Sequence, residues 1–129
     1  MGAKQSTSLS IIIHQIVQIS DPEKILLLAA SFDYQLTENI FMKNPVQQYR
    51  GNRYNLLILS EVQPKNSLSK LELKLMERML DHRNVQFAVI DIIEFNKEVE
   101  TGDSYWRYIL LNAMLSYDKG QIPLANPYL

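Results

Sequence analysis

Two carboxylates two residues apart on a β-strand share one face and can jointly hold divalent cations, so acid pairs are the first place to look for chemistry. Glu98 and Glu100 have that spacing, but their segment is patterned as a helix, where positions i and i+2 diverge. Asp21 and Glu23 have it too, but they bracket Pro22, where solvation and turn-making are the expected roles. Asp91 and Glu94 stand singly around the end of an apolar segment, so no acid pair falls on an expected strand. His14 and His82 sit on separate expected helices, neither with a second His at metal-ligand spacing. The four glycines (2, 51, 102 and 120) are too dispersed for a GxxxxGK[ST] loop or a GxGxxG fingerprint. No serine lies in a G-x-S-x-G elbow. The chain has no cysteine, which excludes disulfides, thiolate metal sites and a cysteine nucleophile.

The elements that would position any site follow from periodicity. Leu9, Ile12, Ile13, Ile16 and Val17 form one helical stripe, with Ser6, Thr7 or Ser8 as cap and a stop near Ser20-Asp21-Pro22. Residues 25–30 are a continuous apolar run and 54–60 and 85–92 are strongly apolar segments, all three expected as strands, the first two buried. Between the first two, residues 31–50 fit an extended hairpin arm or a short helix, with turn signals at Asn44-Pro45 and Arg50-Gly51-Asn52. After Pro64-Lys65-Asn66, Ser67 is expected to cap a helix over 67–82, ending near His82-Arg83-Asn84. Its inner stripe is Leu68, Leu71, Leu75 and Met79, joined by Met76 and Leu80. A short helix over Glu94 to Glu100 and a last helix from Ser104 through about Leu115 complete the set, before a turn at Asp118-Lys119-Gly120. Strands separated by helices give an α/β (α+β) fold, a mixed sheet of three or more strands packed with helices.

With 129 residues the chain is one domain, its core over 9–120 and its residues 121–129 a tail or linker. Thirteen basic against 14 acidic residues leave a net charge of −1, which speaks against a general nucleic-acid binder. The longest apolar run, Ile25 to Ala30, is too short to span a bilayer, and the polar N-terminus does not read as a signal peptide. The composition therefore predicts a soluble, cytoplasmic protein with no membrane partner.

Four segments resemble a known family. The helix followed by Pro22-Glu23-Lys24-Ile25-Leu26-Leu27-Leu28 and then Tyr54-Asn55-Leu56-Leu57-Ile58-Leu59 is similar to a minimal nucleotidyltransferase domain of the polymerase-beta type. Ile93-Glu94-Phe95-Asn96-Lys97-Glu98 and Met114-Leu115-Ser116-Tyr117-Asp118-Lys119-Gly120 look like the end of such domains, in particular those that precede a HEPN domain in bacterial proteins. The likeness covers most of residues 9–125. Active members carry Gly-Ser after the first strand, Asp-x-Asp on the second, and often a third carboxylate, all serving Mg²⁺ and nucleotide. Here Gly-Ser falls on Ala29-Ala30, or on Ala30-Ser31 one residue along, and Asp-x-Asp falls on Arg53-Tyr54-Asn55. Only Asp91 is placed to stand for the third acid. A cation and an amide cannot hold Mg²⁺, so two-metal phosphoryl transfer cannot be assembled and no metal or cofactor is expected. A HEPN ribonuclease has about four to six residues between its Arg and His, whereas Arg78 and His82 have only three between them, on what reads as a nucleotidyltransferase helix.

The resemblance thus implies an inactive nucleotidyltransferase-like domain with a regulatory or assembly role, joined to a HEPN domain or to a second copy. Two alternatives stand beside it. A divergent Mg²⁺-dependent enzyme would act through Asp91, Asp33 or Glu61. A nucleotide or RNA sensor would use Arg50, Arg53, Tyr49 and Tyr54, since Arg and Tyr meet phosphates and bases. The last helix is apolar nearly all round, and Tyr105, Trp106 and Tyr108 mark it either as an interface or as the bed on which residues 121–129 fold.

Overall fold

A computed structural model describes residues 8–36, 47–61, 66–82 and 84–128, with the backbone alone at 31–36, 47–52 and 66–67. The elements are α1 (Leu9–Ser20), β1 (Lys24–Leu36), β2 (Gln47–Ser60), α2 (Asn66–Arg78), β3 (Val85–Asp91), α3 (Ile92–Glu100), α4 (Ser104–Asn112) and β4 (Met114–Asp118). They form an α/β fold with an open four-stranded mixed sheet in the order β3-β2-β1-β4. The β1–β2 and β1–β4 pairs are antiparallel, whereas β2 and β3, joined through α2, run parallel.

Period-two alternation along the central strand explains why both faces are covered. Leu56 and Ile58 point to one face, where Ile12 and Ile16 of α1 and Leu75 and Met79 of α2 close a buried cluster. Leu57 and Leu59 point to the other, onto Ile92, Phe95 and Val99 of α3, with Trp106, Ile109 and Leu110 of α4 beside them. Each fully buried Leu or Ile contributes roughly 1.5–3 kcal/mol, so neither face of such a run can stay wet. Leu57 is 2% exposed, as the continuous run requires.

The uncertain arm is resolved in favour of strand: β1 reaches Leu36 and β2 begins at Gln47, paired from Ser31↔Arg53 to Leu36↔Gln47. Residues 37–46, including the Asn44-Pro45 signal, lie outside the described residues, as do Ser6, Thr7, Pro64-Lys65 and Arg83. Ser8 occupies the cap position of α1, but its hydroxyl makes no capping bond. α1 stops at Asp21, which takes a left-handed backbone (φ 45°) that Asp tolerates better than most side chains.

Four expectations need correction. α2 begins at Asn66, so Ser67 lies inside it, and it ends at Arg78 because residues 79–81 form a turn. Met76 and Leu80 are exposed, since only one side of α2 meets the sheet. α3 begins at Ile92, two residues early, because the Asp91 carboxylate accepts from the Ile93 N–H and caps it there. The last helix stops at Asn112, and Met114–Asp118 is a fourth strand drawn out of the helical pattern by pairing with Lys24–Leu27. No helix among the described residues is long and apolar enough to cross a membrane.

One polar knot ties these layers together. Glu23, just before β1, donates its backbone N–H to the Leu59 carbonyl and accepts at its own carbonyl from Lys119 N–H, both at 2.8 Å. Its buried carboxylate Oε2 accepts from the amides of Gln121 and Ile122, each at 2.8 Å, and lies 3.6 Å from the buried Lys24 ammonium. Lys24 also donates to Asp118. Past Gly120, whose φ of +85° suits a residue without Cβ, the tail is thereby pressed against the sheet.

Candidate functional site

The β1–β2 and β2–β3 registers bring scattered residues to one place. Arg53 and Asn55 share the face of Leu57 and Leu59, and Ala29 lies opposite Asn55 across β1–β2. Gln86 lies opposite Asn55 on the other side, across β2–β3. Helices α3 and α4 cover this face only as far as Leu28, so its remaining end is a recess of about 290 Å³. Its lining comprises Ala29, Ala30, Arg53, Tyr54 and Asn55, with Asn84 and Gln86 from the start of β3. Two of its walls are thus the Gly-Ser and Asp-x-Asp positions of the resemblance. The register irregularity between Leu27 and Ala29 lets β1 turn two small residues into this wall.

The structure separates Asp91 from this group. It pairs with Ser60, whereas Arg53 sits seven residues back along β2; at roughly 3.3 Å per residue the two ends are on the order of 20 Å apart. Glu61 follows Ser60 and is therefore also at the far end. Asp91 is buried and serves as the cap of α3, so Asp91→Ala should lower stability by about 1 kcal/mol in urea denaturation. The residue facing Asn55 across β2–β3 is instead Gln86, an amide with no motif to betray it. Asn84 was equally illegible; its carbonyl accepts from Tyr54 N–H and fixes where β3 begins. The side chains of Ser31, Asp33, Tyr49 and Arg50 lie outside the described residues, though their backbones belong to the β1–β2 ribbon.

Chemically the recess is polar, and none of its described lining residues is a carboxylate. Among the described residues, no group of three or more His, Asp or Glu is placed to hold a metal ion. An Arg and three side-chain amides do not fit Mg²⁺, a hard cation that takes charged oxygen ligands. They fit an anion, to which guanidinium and amide N–H groups donate. His14 is exposed on α1, whereas His82, expected on a helix, is half-buried in the turn region past the end of α2.

A second recess, of about 270 Å³, begins one residue back along β1. Leu28, the residue before Ala29, forms its floor with Ile109 and Ala113, and Tyr105, Tyr108 and Asn112 of α4 form its rim. The Asp103 carboxylate caps α4, accepting from Tyr105 N–H at 2.9 Å, and Arg107 Nε donates back to the Val99 carbonyl at 3.0 Å. These contacts fix which way the helix presents its rings. Trp106 turns inward, its ring edge-on to Phe95 at 5.7 Å, while Tyr105 and Tyr108 remain 64% and 65% exposed. The tail does fold back: Ile122, Leu124 and Ala125 pack against the same buried cluster as Trp106, and Asn96 holds the Pro123 carbonyl and the Ala125 amide. It leaves Tyr105 and Tyr108 uncovered.

Comparison of the chain with protein-family models, with curated proteins and with solved structures gives no match.

Proposed function

We propose that this chain is a catalytically inactive nucleotidyltransferase-like domain with a regulatory or assembly role, cytoplasmic, and of the kind that stands beside a HEPN domain in bacterial proteins. One observation carries the reading. The positions matched to Gly-Ser and Asp-x-Asp, far apart in sequence, meet in a single recess at the end of the sheet, and none of its described lining residues is an acid. A recess that keeps its place while its metal-binding groups become Arg53, Asn55 and Gln86 is what loss of transfer with retention of the fold would leave. Phosphoryl transfer needs cations to neutralise charge developing on the phosphate oxygens, and a lone guanidinium cannot replace two bridged metal ions.

The test is to restore the acids. Titration with Mn²⁺, followed by the electron paramagnetic resonance signal of the free ion, should show no saturable site in the wild-type protein. Arg53→Asp combined with Asn55→Asp and Gln86→Asp should create one, because the three positions share a face on adjacent strands. A folded triple variant that still fails to take up Mn²⁺ would remove the reading. So would Mg²⁺-dependent nucleotidyl transfer by the wild-type chain.

A second reading, metal-free binding of a nucleotide or RNA, is favoured by Arg53 and Tyr54 in the lining. It differs from the first only in giving the recess a ligand.

A further inference from the structure

Three large apolar side chains of the α2 segment face water. Leu73, Met76 and Leu80 are each more than half exposed, although the inward side of the same segment buries Leu75 and Met79. They recur at i, i+3 and i+7, the spacing of a coiled-coil seam, so they make one stripe and not scattered singles. Leu80 lies two residues past Arg78, but the winding continues to it. Met79 N–H still donates to the Leu75 carbonyl at 2.8 Å, and His82 N–H donates to the Met79 carbonyl at 2.9 Å. At about 1.5 Å per residue the stripe is roughly 10 Å long.

The charges beside the stripe say what fits it. At about 3.6 residues per turn, Lys70, Lys74, Glu77 and Asp81 fall in one file along its flank, basic in the first half and acidic in the second. Within a single helix this order is unfavourable. Like charges stand four apart at Lys70–Lys74 and Glu77–Asp81, and the acids sit toward the C-terminal end, where the helix dipole favours cations. All four residues are exposed, and among the described residues none of them forms an ion pair within the chain. A second helix of the same sequence running in the same direction would set basic half beside basic half. Turned end for end, it sets each basic half beside an acidic one.

We infer that α2 pairs antiparallel with α2 of a second copy of this chain, about a twofold axis near Met76. Leu73 of each copy then packs beside Leu80 of the other, and Lys70 and Lys74 lie along Asp81 and Glu77 of the other. A twofold contact uses one patch on both partners, so that patch must be complementary to itself, and this one is. The apolar stripe supplies the contact and the charge order supplies the direction. α2 covers the sheet face of Leu56 and Ile58, opposite the recess of Arg53 and Asn55, so the inference stands whatever the recess binds.

The experiment is analytical ultracentrifugation of the full chain over a wide range of concentration, because so short a seam gives a dimer that dissociates on dilution. Wild-type protein should pass from monomer to dimer as concentration rises, and Met76→Lys should stay monomeric. Lys70→Glu with Lys74→Glu makes the flank wholly acidic, and Glu77→Lys with Asp81→Lys makes it wholly basic. Each double variant alone should associate about tenfold or more weakly, and an equimolar mixture of the two should regain association. That recovery also shows that both are folded. The chain has no cysteine, so a single introduced thiol reports direction. On mild oxidation Met76→Cys, at the axis, should give a covalent dimer. Leu80→Cys should not, since antiparallel pairing sets its two copies about 12 Å apart along the helices.

A wild-type chain that remains monomeric at the highest concentration would overturn the proposal. So would a mixture of the two charge variants that associates no better than either alone. Linking at Leu80→Cys as readily as at Met76→Cys would replace the antiparallel pair with a parallel one. A dimer dispersed by Tyr108→Ala and untouched by Met76→Lys would move the contact to α4 and overturn it as well.

Discussion

Replacing Glu23 with Gln is expected to cost about 2–4 kcal/mol of folding stability and to flatten much of the loss of stability in acid. The carboxylate is 4% exposed, and its Oε2 accepts both tail amides beside the Lys24 ammonium. Burial alone would push its pKa up, but the Ile122 and Gln121 amides and the Lys24 charge together outweigh it and hold the group below its ordinary value of 4.5. Its stabilising contribution is therefore fully present above that value and is lost as the pH falls through the lower folded pKa. Asp118 behaves in the same direction, led by the hydrogen bond from Lys24 and opposed by desolvation, but it is more exposed and matters less. Urea denaturation from pH 7 down to pH 3 should show wild-type stability falling below about pH 4.5, and a shallower slope for Glu23→Gln. Lys24→Met should also destabilise, because it leaves the buried carboxylate with its amides alone. The double variant should cost less than the sum of the two, since each single change strands the other's charge. Additive costs and parallel pH profiles would show that the knot contributes nothing as a pair.

The strands around 25–30 and 54–60 could be read from composition because a strand covered on both faces is strongly apolar along its length, whereas β3 stops at Asp91 and, at the sheet edge, leaves Gln86 and Ala88 exposed. The fourth strand could not. Met114-Leu115-Ser116-Tyr117-Asp118 continues the apolar pattern of the helix before it, and what makes it extended is the open edge of β1, 90 residues earlier in the chain. Met76 and Leu80 were misassigned for the complementary reason: a helix can carry more apolar residues than the sheet has room to cover, and periodicity cannot say which stripe turns inward. The recess was half legible. Ala29, Arg53 and Asn55 were reached through position in a resemblance, but Asn84 and Gln86 are neutral amides in no motif and join the site only through the parallel register of β2 and β3. Asp91 attracted attention as the lone acid of the third strand. The same register sets it beside Ser60 and gives it the structural task of capping α3.

Phe95→Ala should be the most damaging single truncation on the α3–α4 side of the sheet, lowering stability by about 3–5 kcal/mol. Phe95 is 1% exposed and lies among Leu26, Leu57, Leu59, Ile92 and Val99, so its removal leaves a cavity bounded by three elements that cannot all collapse into it. It also forfeits the edge-on contact with Trp106, worth roughly 0.5–1.5 kcal/mol beyond area in such pairs. Against a typical stability of about 5–15 kcal/mol this is a large fraction, and thermal unfolding should move down accordingly. Ile93 provides the control, because it sits on the same helix two residues away and is 46% exposed. Ile93→Ala should change stability by no more than about 0.5 kcal/mol, which removes helix propensity as the explanation. The tryptophan supplies a second, independent reading: with Phe95 gone, Trp106 emission should shift to the red as water enters beside its ring. A loss below about 1.5 kcal/mol, or an unshifted spectrum, would mean that α4 and the tail settle into the space and that this side of the core is not held in place by Phe95.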